Sequence, residues 1–443
     1  MKYLVYDTIF IEDSNRPTVT LAYQYFANDA MSAASSRGMP GVRFVPESIV
    51  SECSVTKEIE VGVSAVMDDI VAGLTKPLTA EEESPKPKEV EKPSRIIFKG
   101  NLEEINRFFY QRGWTDGLPI IPPTEEAVAE MLTGTDLSPD HLVAELEPRL
   151  GKATVEKIAI NAVMAGALPT YMPLLIVGVK VLSTSPMADV WAVSTGSWIP
   201  FWIVNGPIRK DLHINDGFGA LSPGEIANAT IGRALGLITK NIRGVRKGIE
   251  DMGVLGNPGK YSMVIAENEE DSPWEPLHVE HGFKKEDSTI SLYFPNSYQQ
   301  QHSYATDDKG ILNTVIYNIT PGRMGMLGII LTPVNAKALA SRGWTKKDIT
   351  KYIMENARAP RDHYAGYYAG GEDKGDPQES VPLFTTRPGQ PDPIQIYVVG
   401  GWGSWTGLLS GGQGITTEKI ELPANWDKLV TKYKNVVPTY AKY

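Results

Sequence analysis

The feature that most constrains the fold is a stretch without a charged residue, AINAVMAGALPTYMPLLIVGV at Ala159–Val179. It is long enough to cross a bilayer as one helix. Pro169 and Pro173 interrupt it, however, and a proline inside a helix removes a hydrogen bond and clashes with the preceding turn. We therefore predict a helix, a turn at Gly166–Thr170 and a second helix that begins at Pro173. Two such apolar helices belong in the core of a protein without a membrane span.

The composition is that of a globular protein. The chain has 443 residues, of which 42% are hydrophobic and 22% are charged, and its length suits two or three domains. Its net charge of −10 argues against nucleic acid as a partner, because an acidic surface repels phosphate backbones. The single cysteine, Cys53, allows no internal disulfide, and the N-terminus lacks the apolar core of a signal peptide. These features predict a cytoplasmic protein.

A stretch rich in proline and charge divides the chain, TAEEESPKPKEVEKPSR at Thr79–Arg95. It contains almost no apolar residue, which is typical of a solvated linker. We therefore place a small N-terminal unit at residues 1–80, a linker at 81–98 and a large domain at 99–443.

The N-terminal unit is predicted to have the order β-α-β-α. Strands at Pro17–Phe26 and Gly41–Pro46 flank a helix at Asn28–Gly38, and another helix runs on from Val55. Parallel strands this few need further strands beside them. The sheet of this unit is therefore expected to be completed by something else.

In the large domain helices and strands alternate, which predicts an α/β fold, either mixed α/β or α+β. An amphipathic helix is predicted at Leu102–Trp114, and a second helix at Ser222–Gly244 with Pro223 in its first turn. The predicted strands are KYSMVIA (Lys260–Ala266), STISLYFP (Ser288–Pro295), TVIYNI (Thr314–Ile319) and IQIYVV (Ile394–Val399).

The first candidate site is ENEEDSPWEPLHVEHG, at Glu267–Gly282, directly after a predicted strand. Ligands gather at strand ends in α/β proteins. The candidate catalytic residues are Glu267, Glu270, Glu275, His278 and His281. These side chains suit general acid–base chemistry or, alternatively, a divalent metal ion. Because no HExxH or similar spacing fixes the ligand geometry, a solvated surface turn is the third interpretation.

The second candidate site follows a predicted buried strand, in the sequence NGPIRKDLH. Asn205 lies in a tight turn, and Arg209 and His213 lie beyond it, so these side chains are candidates for holding an anionic substrate. The alternative is a charged connection at the edge of a strand.

The third candidate site is the glycine-rich sequence YVVGGWGSWTG. A strand that enters Gly400, Gly401 and Gly403 allows backbone amides to face a substrate, and Trp402 and Trp405 would form the walls. A dinucleotide site requires GxGxxG followed by a full helix, which this sequence lacks. We expect a substrate loop and no nucleotide cofactor, with an ordinary turn as the alternative.

Cys53 is a further candidate, as a nucleophile. It stands just before the helix predicted from Val55, which favours a thiolate, whereas the neighbouring Glu52 opposes one.

Long blocks of the chain carry a family resemblance: TVTLAYQYFANDAMSAASSRGMPGVRFVPESI before the linker, and RGWTDGLPIIPPTEEAVAEML, IVNGPIRKDLHIND and NPGKYSMVIAENEEDSPWEPLHVEHGF beyond it. The first block resembles the second half of the domain of the UGSC family of selenoproteins and their cysteine homologues. The others resemble the large companion domain seen with that family. The family is named after a selenocysteine- or cysteine-Gly-Ser-Cys motif, which implies thiol or selenol chemistry. This chain lacks the motif, so either a separate small subunit supplies it or the chemistry has been lost.

These observations predict the large subunit of a hetero-oligomeric enzyme. A partner subunit would supply a thiolate or selenolate for the reduction or cleavage of a small polar organic molecule. The alternatives are a metal-dependent lyase or hydrolase that uses the Glu/His cluster and a non-catalytic scaffold subunit.

Overall fold

The computed structural model of the protein describes residues 2–49, 54–80, 94–186, 188–321, 325–363, 375–384, 392–412 and 414–437. It has the mixed α/β fold that the sequence predicts. Cys53 and residues 81–93 of the predicted linker lie outside the described residues, so the role of Cys53 stays a prediction. Within the described ranges, no helix is long and apolar enough to cross a membrane.

Helices and strands are numbered in chain order. The N-terminal unit contains α1 (Lys2–Glu12), β1 (Thr20–Tyr23), α2 (Ala27–Ser36), β2 (Phe44–Glu47), α3 (Thr56–Ala65) and α4 (Met67–Thr75). The helices described in the large domain are α5 (Leu102–Gln111), α6 (Glu125–Leu132), α7 (Val155–Ala165), α8 (Met172–Thr184), α9 (Ala188–Val193), α10 (Ile208–Asp211), α11 (Ile226–Asn241), α12 (Leu277–Glu280), α13 (Asp308–Asn318), α14 (Pro333–Ala340), α15 (Lys346–Asn356) and α16 (Trp426–Tyr433). Its strands are β3 (Leu142–Leu146), β4 (Gly151–Thr154), β5 (Phe201–Asn205), β6 (Val264–Ala266), β7 (Thr289–Tyr293), β8 (Ser297–His302), β9 (Leu327–Leu331), β10 (Arg358–Pro360), β11 (Ser380–Pro382), β12 (Ile394–Val398), β13 (Trp405–Ser410) and β14 (Thr416–Lys419).

The N-terminal unit confirms the predicted strand–helix–strand order. β1 and β2 pair in parallel, with Thr20 opposite Phe44, and α2 connects them. The predicted second helix is divided at Val66, which separates α3 from α4. Helix α1 was not predicted, and it packs Val5 against the alanines of α2. Among the described residues, the sheet of this unit has two strands.

The charge-free stretch forms the predicted pair of helices. Gly166 ends α7 in the left-handed conformation, with φ of 81°, which glycine adopts without strain. A short 3₁₀ turn at Pro169–Tyr171 follows, and Pro173 then lies in the first turn of α8. Both helices bury most of their side chains in one apolar cluster, and α8 lies against β7 and β14.

The large domain is a sandwich of two four-stranded sheets, with strand orders β14-β7-β5-β6 and β12-β9-β13-β8. Alternate side chains divide between two sides of each sheet. On β5, Phe201 and Ile203 lie in the apolar cluster between the sheets, whereas Trp202 and Val204 pack against α7, α8 and α11. The outer face of the second sheet packs against α13, α14 and α15. The result is a helix–sheet–sheet–helix arrangement.

The two sheets repeat one topology and exchange their last strands. In the first, β5 is parallel to β6 and antiparallel to β7; in the second, β9 is parallel to β12 and antiparallel to β13. The chain then leaves β7 to form β8 in the second sheet, and leaves β13 to form β14 in the first. Each half of the domain therefore donates a strand to the other.

Both exchanges occur at the same end of the sandwich, which we call the crossover end. The Asn296 amide, just after β7, donates to the carbonyl of Ser410 at the end of β13 at 2.8 Å. Since β5 and β9 run antiparallel to β7 and β13, the carboxyl ends of β5, β6, β9 and β12 meet at the opposite end. The Asn268 amide donates to the Val398 carbonyl there, also at 2.8 Å. We call this second end the carboxyl end of the sandwich.

One predicted strand is wrong. Thr314–Ile319, rich in β-branched residues, lies largely within α13. The Asp307 side chain caps this helix by accepting a hydrogen bond from the Gly310 amide at 2.6 Å. The capping residue and the packing of one helix face against the second sheet override the local β propensity of the segment.

Candidate functional site

Glu267 follows β6 at the carboxyl end of the sandwich and is buried between the sheets. Its Oε2 accepts hydrogen bonds from the Asn205 side-chain amide and from the Leu277 backbone amide, each at 2.7 Å. Glu267 and Asn205 are 2% and 0% exposed. The fold thus brings together a residue of the first predicted site and a residue of the second, although 62 positions separate them in the chain.

Several buried polar atoms around this pair have no hydrogen-bond partner among the described residues. Asn205 Oδ1 and Thr289 Oγ1 are two of them, and these residues lie opposite each other on β5 and β7. His278 Nδ1 and the Tyr397 hydroxyl are two more. Buried polar groups of this kind are usually satisfied by ordered water. Sequence reasoning missed Thr289 and Tyr397, and the available signal was a polar atom on the inward face of a predicted strand.

Arg209 lies next to the Glu267–Asn205 pair and forms ion pairs with three carboxylates. Its guanidinium bonds to Glu269 Oε1 at 3.0 Å, Asp216 Oδ2 at 2.9 Å and Glu270 Oε1 at 3.0 Å. It also donates to the Glu267 carbonyl at 2.7 Å. The Arg209 side chain is 3% exposed, and the three carboxylates around it neutralise its charge.

The electrostatics of this cluster favour the charged form of Glu270. Partial burial acts to raise the pKa of Glu270, but hydrogen bonds from Arg209 and Lys210 lower it below its usual value. Burial likewise acts to lower the pKa of Lys210, and its pairs with Asp216 and Glu270 raise it instead. The group is thus a network of ion pairs that ties β5 and β6 to the following loops.

His281 and Glu280 form a separate group at the edge of the first sheet. His281 Nδ1 lies 2.8 Å from Thr417 Oγ1, which lies 2.8 Å from Ser291 Oγ on β7. The Lys346 ammonium donates to Glu280 Oε2 at 3.0 Å. Partial burial raises the pKa of Glu280 despite that ammonium, and burial together with Lys346 lowers the pKa of His281.

The remaining residues of the first two predicted sites lie at the periphery. The exposed Glu275 contributes its backbone carbonyl, which accepts from Lys346 at 2.8 Å. His213 adopts a left-handed conformation with φ of 53°, and its Nε2 lies 3.1 Å from the Lys434 carbonyl near α16. Within the described ranges, the side chains of these two residues form no hydrogen bond or ion pair with Glu267 or Arg209.

An open pocket of about 320 Å³ lies at the carboxyl end of the second sheet. The predicted glycine loop forms one wall, with Gly400, Gly401, Trp402 and Gly403 among the lining residues. The other lining residues are Phe218, Gly219, Ala220, Leu221, Ser222, Tyr298, Gln300, Ile330, Thr332, Val399, Trp405, Thr406 and Gly407. Phe218, Tyr298 and Gln300 were not predicted, because they come from a distant loop and an exchanged strand.

The conformation of the glycine loop depends on its glycines. Gly400 has φ of +100°, which L side chains rarely adopt, and its amide donates to the Asp216 carbonyl at 2.8 Å. A Cβ on Gly401 would lie 2.2 Å from the Phe218 ring. The Thr332 hydroxyl donates to the Gly403 carbonyl at 2.5 Å. This wall of the pocket is therefore held in place, and its hydrogen bond to Asp216 connects it to the ion pairs of Arg209.

The predicted acid–base residues and the pocket are adjacent but distinct. Glu267, Glu270, Glu275, His278 and His281 are not among the residues that line the pocket, nor are Asn205, Arg209 and His213. Their link is the Gly400–Asp216 hydrogen bond, together with the Asn268–Val398 bond between the two sheets. The carboxylates and the pocket thus share one end of the sandwich without sharing a surface.

The described part of the chain contains no group of three or more His, Cys, Asp and Glu residues placed to hold a metal ion. The carboxylates of Asp216, Glu269 and Glu270 point to Arg209 instead. A guanidinium thus occupies the position that a cation would need among these oxygens.

Comparison with known proteins gives no relative: no family model, curated protein or solved structure matches the chain. The resemblance to the UGSC family therefore stays a prediction.

Proposed function

We propose that this chain is the large, substrate-binding subunit of a cytoplasmic hetero-oligomeric enzyme, and that a smaller subunit supplies its thiol or selenol. The observation that carries the proposal is the N-terminal sheet. It has two parallel strands in the described part of the chain, and parallel sheets are normally larger and covered on both faces. A partner that adds strands and helices would complete it.

The helices beside this sheet support the same conclusion. In α3 and α4, Val61 is 63% exposed and Val71 is 51% exposed, and Met67 and Leu74 are also exposed. An apolar surface of this kind on a small unit marks an interaction site. The partner we propose is therefore a protein whose own apolar helices or strands cover α3 and α4.

The side chains that line the pocket favour a nucleophile supplied by another subunit. Among the described residues that line it, Ser222, Tyr298, Thr332 and Thr406 carry hydroxyls and Gln300 carries an amide, and none carries a thiol or an imidazole. Unactivated hydroxyls are weak nucleophiles. In the proposed reaction, a thiolate or selenolate of the partner forms a bond to a small polar molecule bound in this pocket, and a leaving group departs with the electron pair of the bond that breaks.

Geometry sets how far the partner must extend. The N-terminal unit contacts the large domain near the end of α11, where Ser32 Oγ donates to Glu250 Oε1 at 2.6 Å. The pocket lies near the start of that helix, since residues 218–222 immediately precede it. A helix of 16 residues spans roughly 24 Å. The reactive segment of the partner must therefore reach from the N-terminal unit toward the start of α11.

Native mass spectrometry of the protein purified from its own source tests the proposal. We expect a stable complex with a smaller subunit that contains a reactive cysteine or selenocysteine. Purification of a homo-oligomer with no second subunit would contradict it.

A matched pair of variants locates the interface. Val61→Asp combined with Val71→Asp is expected to release the small subunit, because charges would be buried without partners. Leu255→Asp is the control, since Leu255 is 96% exposed and lies outside the N-terminal unit. Loss of the subunit from the control, or its retention by the double variant, would place the interface elsewhere.

A further inference from the structure

We propose that the pocket at the carboxyl end of the second sheet binds a flat, uncharged molecule that carries an amide or a similar paired donor and acceptor. That this ligand is the substrate rests on the proposed function, whereas its binding concerns this chain alone.

The walls of the pocket are aromatic. Trp402, Trp405 and Phe218 are 56%, 42% and 72% exposed, and Tyr298 is 38% exposed. Aromatic side chains with exposed surface around one cavity are unusual unless a ligand covers them. Their ring faces and edges favour stacking with a planar group.

The charge around the pocket excludes ions as the preferred ligand. Among the described residues that line it, none has a charged side chain, so a bound carboxylate would lack a counterion. The Lys337 ammonium lies 4.4 Å from the centre of the Trp402 ring and is paired with Asp271 at 2.7 Å. A cationic ligand on Trp402 would therefore meet a cation already in place, and an anion would have to compete with Asp271.

The polar groups of the pocket select an amide-like ligand. Gln300 offers a carbonyl oxygen and an NH₂ group, and its oxygen accepts from the Tyr298 hydroxyl at 3.2 Å. Thr332 and Thr406 are already engaged, with the Gly403 carbonyl and the Asn335 side-chain amide respectively. A ligand that presents a donor and an acceptor side by side complements the Gln300 amide.

The volume limits the size of the ligand. About 320 Å³ lies at the lower end of the range for small-molecule pockets, which is about 300–1,000 Å³. A molecule with one or two rings fits.

Binding of three related compounds to the purified chain tests the inference. Benzamide is flat and neutral, cyclohexanecarboxamide has the same amide on a ring that is not flat, and benzoate has the same flat ring with a charge. Titration followed by ligand-detected NMR is expected to show benzamide binding about tenfold more tightly than either of the others. Equal or tighter binding of cyclohexanecarboxamide or benzoate, or no benzamide binding at about 20 mM, would overturn the inference.

Two substitutions at one exposed position locate the binding. Trp402→Leu removes the stacking surface and is expected to weaken benzamide binding about tenfold, whereas Trp402→Phe keeps a flat ring and is expected to retain most of it. An unchanged affinity in Trp402→Leu would show that benzamide binds elsewhere. The titration needs no partner subunit, so its outcome is independent of the native mass spectrometry.

Discussion

The two sheets have one topology but end differently at the carboxyl end of the sandwich. The two sheets can be compared position by position, because β5 and β9 each have a parallel strand on one side and an antiparallel strand on the other. Asn205 follows Ile203 of β5 by two residues, and Thr332 follows Ile330 of β9 by two residues, so Asn205 and Thr332 occupy equivalent positions. In the same register, Glu267 after β6 corresponds to Val399 after β12. The first sheet thus carries an amide and a carboxylate where the second carries a hydroxyl and a valine.

This difference explains why the carboxyl end of the first sheet, which we call the closed end, is filled by side chains, whereas the carboxyl end of the second sheet, which we call the open end, contains a pocket. Beyond Glu267, two further glutamates draw Arg209 into the gap, and the ion pairs fill it. Beyond Val399, glycines turn the chain away and leave space between Trp402 and Phe218. The same backbone plan therefore supports a rigid electrostatic network in one half and a ligand-sized cavity in the other.

The largest expected effect comes from removing the cation of the closed end. Arg209→Met leaves the nearly buried Glu269 without its ion-pair partner and leaves Asp216 paired with Lys210 alone, and we expect the free energy of unfolding to fall by about 3–5 kcal/mol. Urea unfolding measures it. Arg107→Met is the control, because Arg107 pairs with Glu103 on an exposed helix surface and should cost at most about 1 kcal/mol. Equal losses in the two variants would mean that the closed end is not the stabilising half.

The open end is expected to depend on backbone conformation instead of charge. Gly400→Ala places a Cβ on a residue with φ of +100°, and we expect a loss of about 1–3 kcal/mol in unfolding free energy. Gly403→Ala is the matched control, since its nearest neighbour would lie 3.4 Å away and the change should stay within about 0.5 kcal/mol. Thermal or urea unfolding measures the stability of both variants. A Gly400→Ala variant as stable as the unsubstituted protein would contradict the positive φ of Gly400.

A smaller effect separates two buried tyrosines, one from each sheet. The Tyr293 hydroxyl donates to the Met326 carbonyl at 3.1 Å, whereas the Tyr397 hydroxyl has no hydrogen-bond partner in the part of the chain that the structure describes. Tyr293→Phe should reduce the free energy of unfolding by about 1–2 kcal/mol, and Tyr397→Phe should change it by no more than about 0.5 kcal/mol. A large cost for Tyr397→Phe would indicate that ordered water satisfies that hydroxyl.

The smallest effect is local and depends on pH. Because the ion pairs lower the pKa of Glu270 below its usual 4.5, its contribution to stability is complete above pH 4.5 and is lost as the pH falls through the folded-state value. Hydrogen exchange should therefore accelerate in residues 205–216 on acidification, and less in 400–407, because the described residues that line the pocket include no carboxylate or imidazole. Glu270→Gln should remove the difference between the segments, and its persistence would assign the effect to another group.

Local patterns in the sequence predicted the elements whose cause is local. A charge-free stretch with two prolines and a glycine can form two short buried helices and little else, and α7 and α8 confirm this. The strand that breaks at Gly400 was predicted as well, and β12 confirms it. The glycine loop and its tryptophans do line a cavity, and whether that cavity holds a substrate stays a prediction.

What the sequence alone determined is therefore the elements whose signals are local, the α/β class and the position of the glycine loop. Only the tertiary structure decided that Arg209 is neutralised by Asp216, Glu269 and Glu270, that Glu267 and Asn205 form a pair, and that β8 and β14 exchange sheets. The physical reason is distance along the chain. Helix periods, caps and turns are set by neighbouring residues, whereas strand partners and counterions are chosen by how buried surfaces and charges across hundreds of residues can all be satisfied at once.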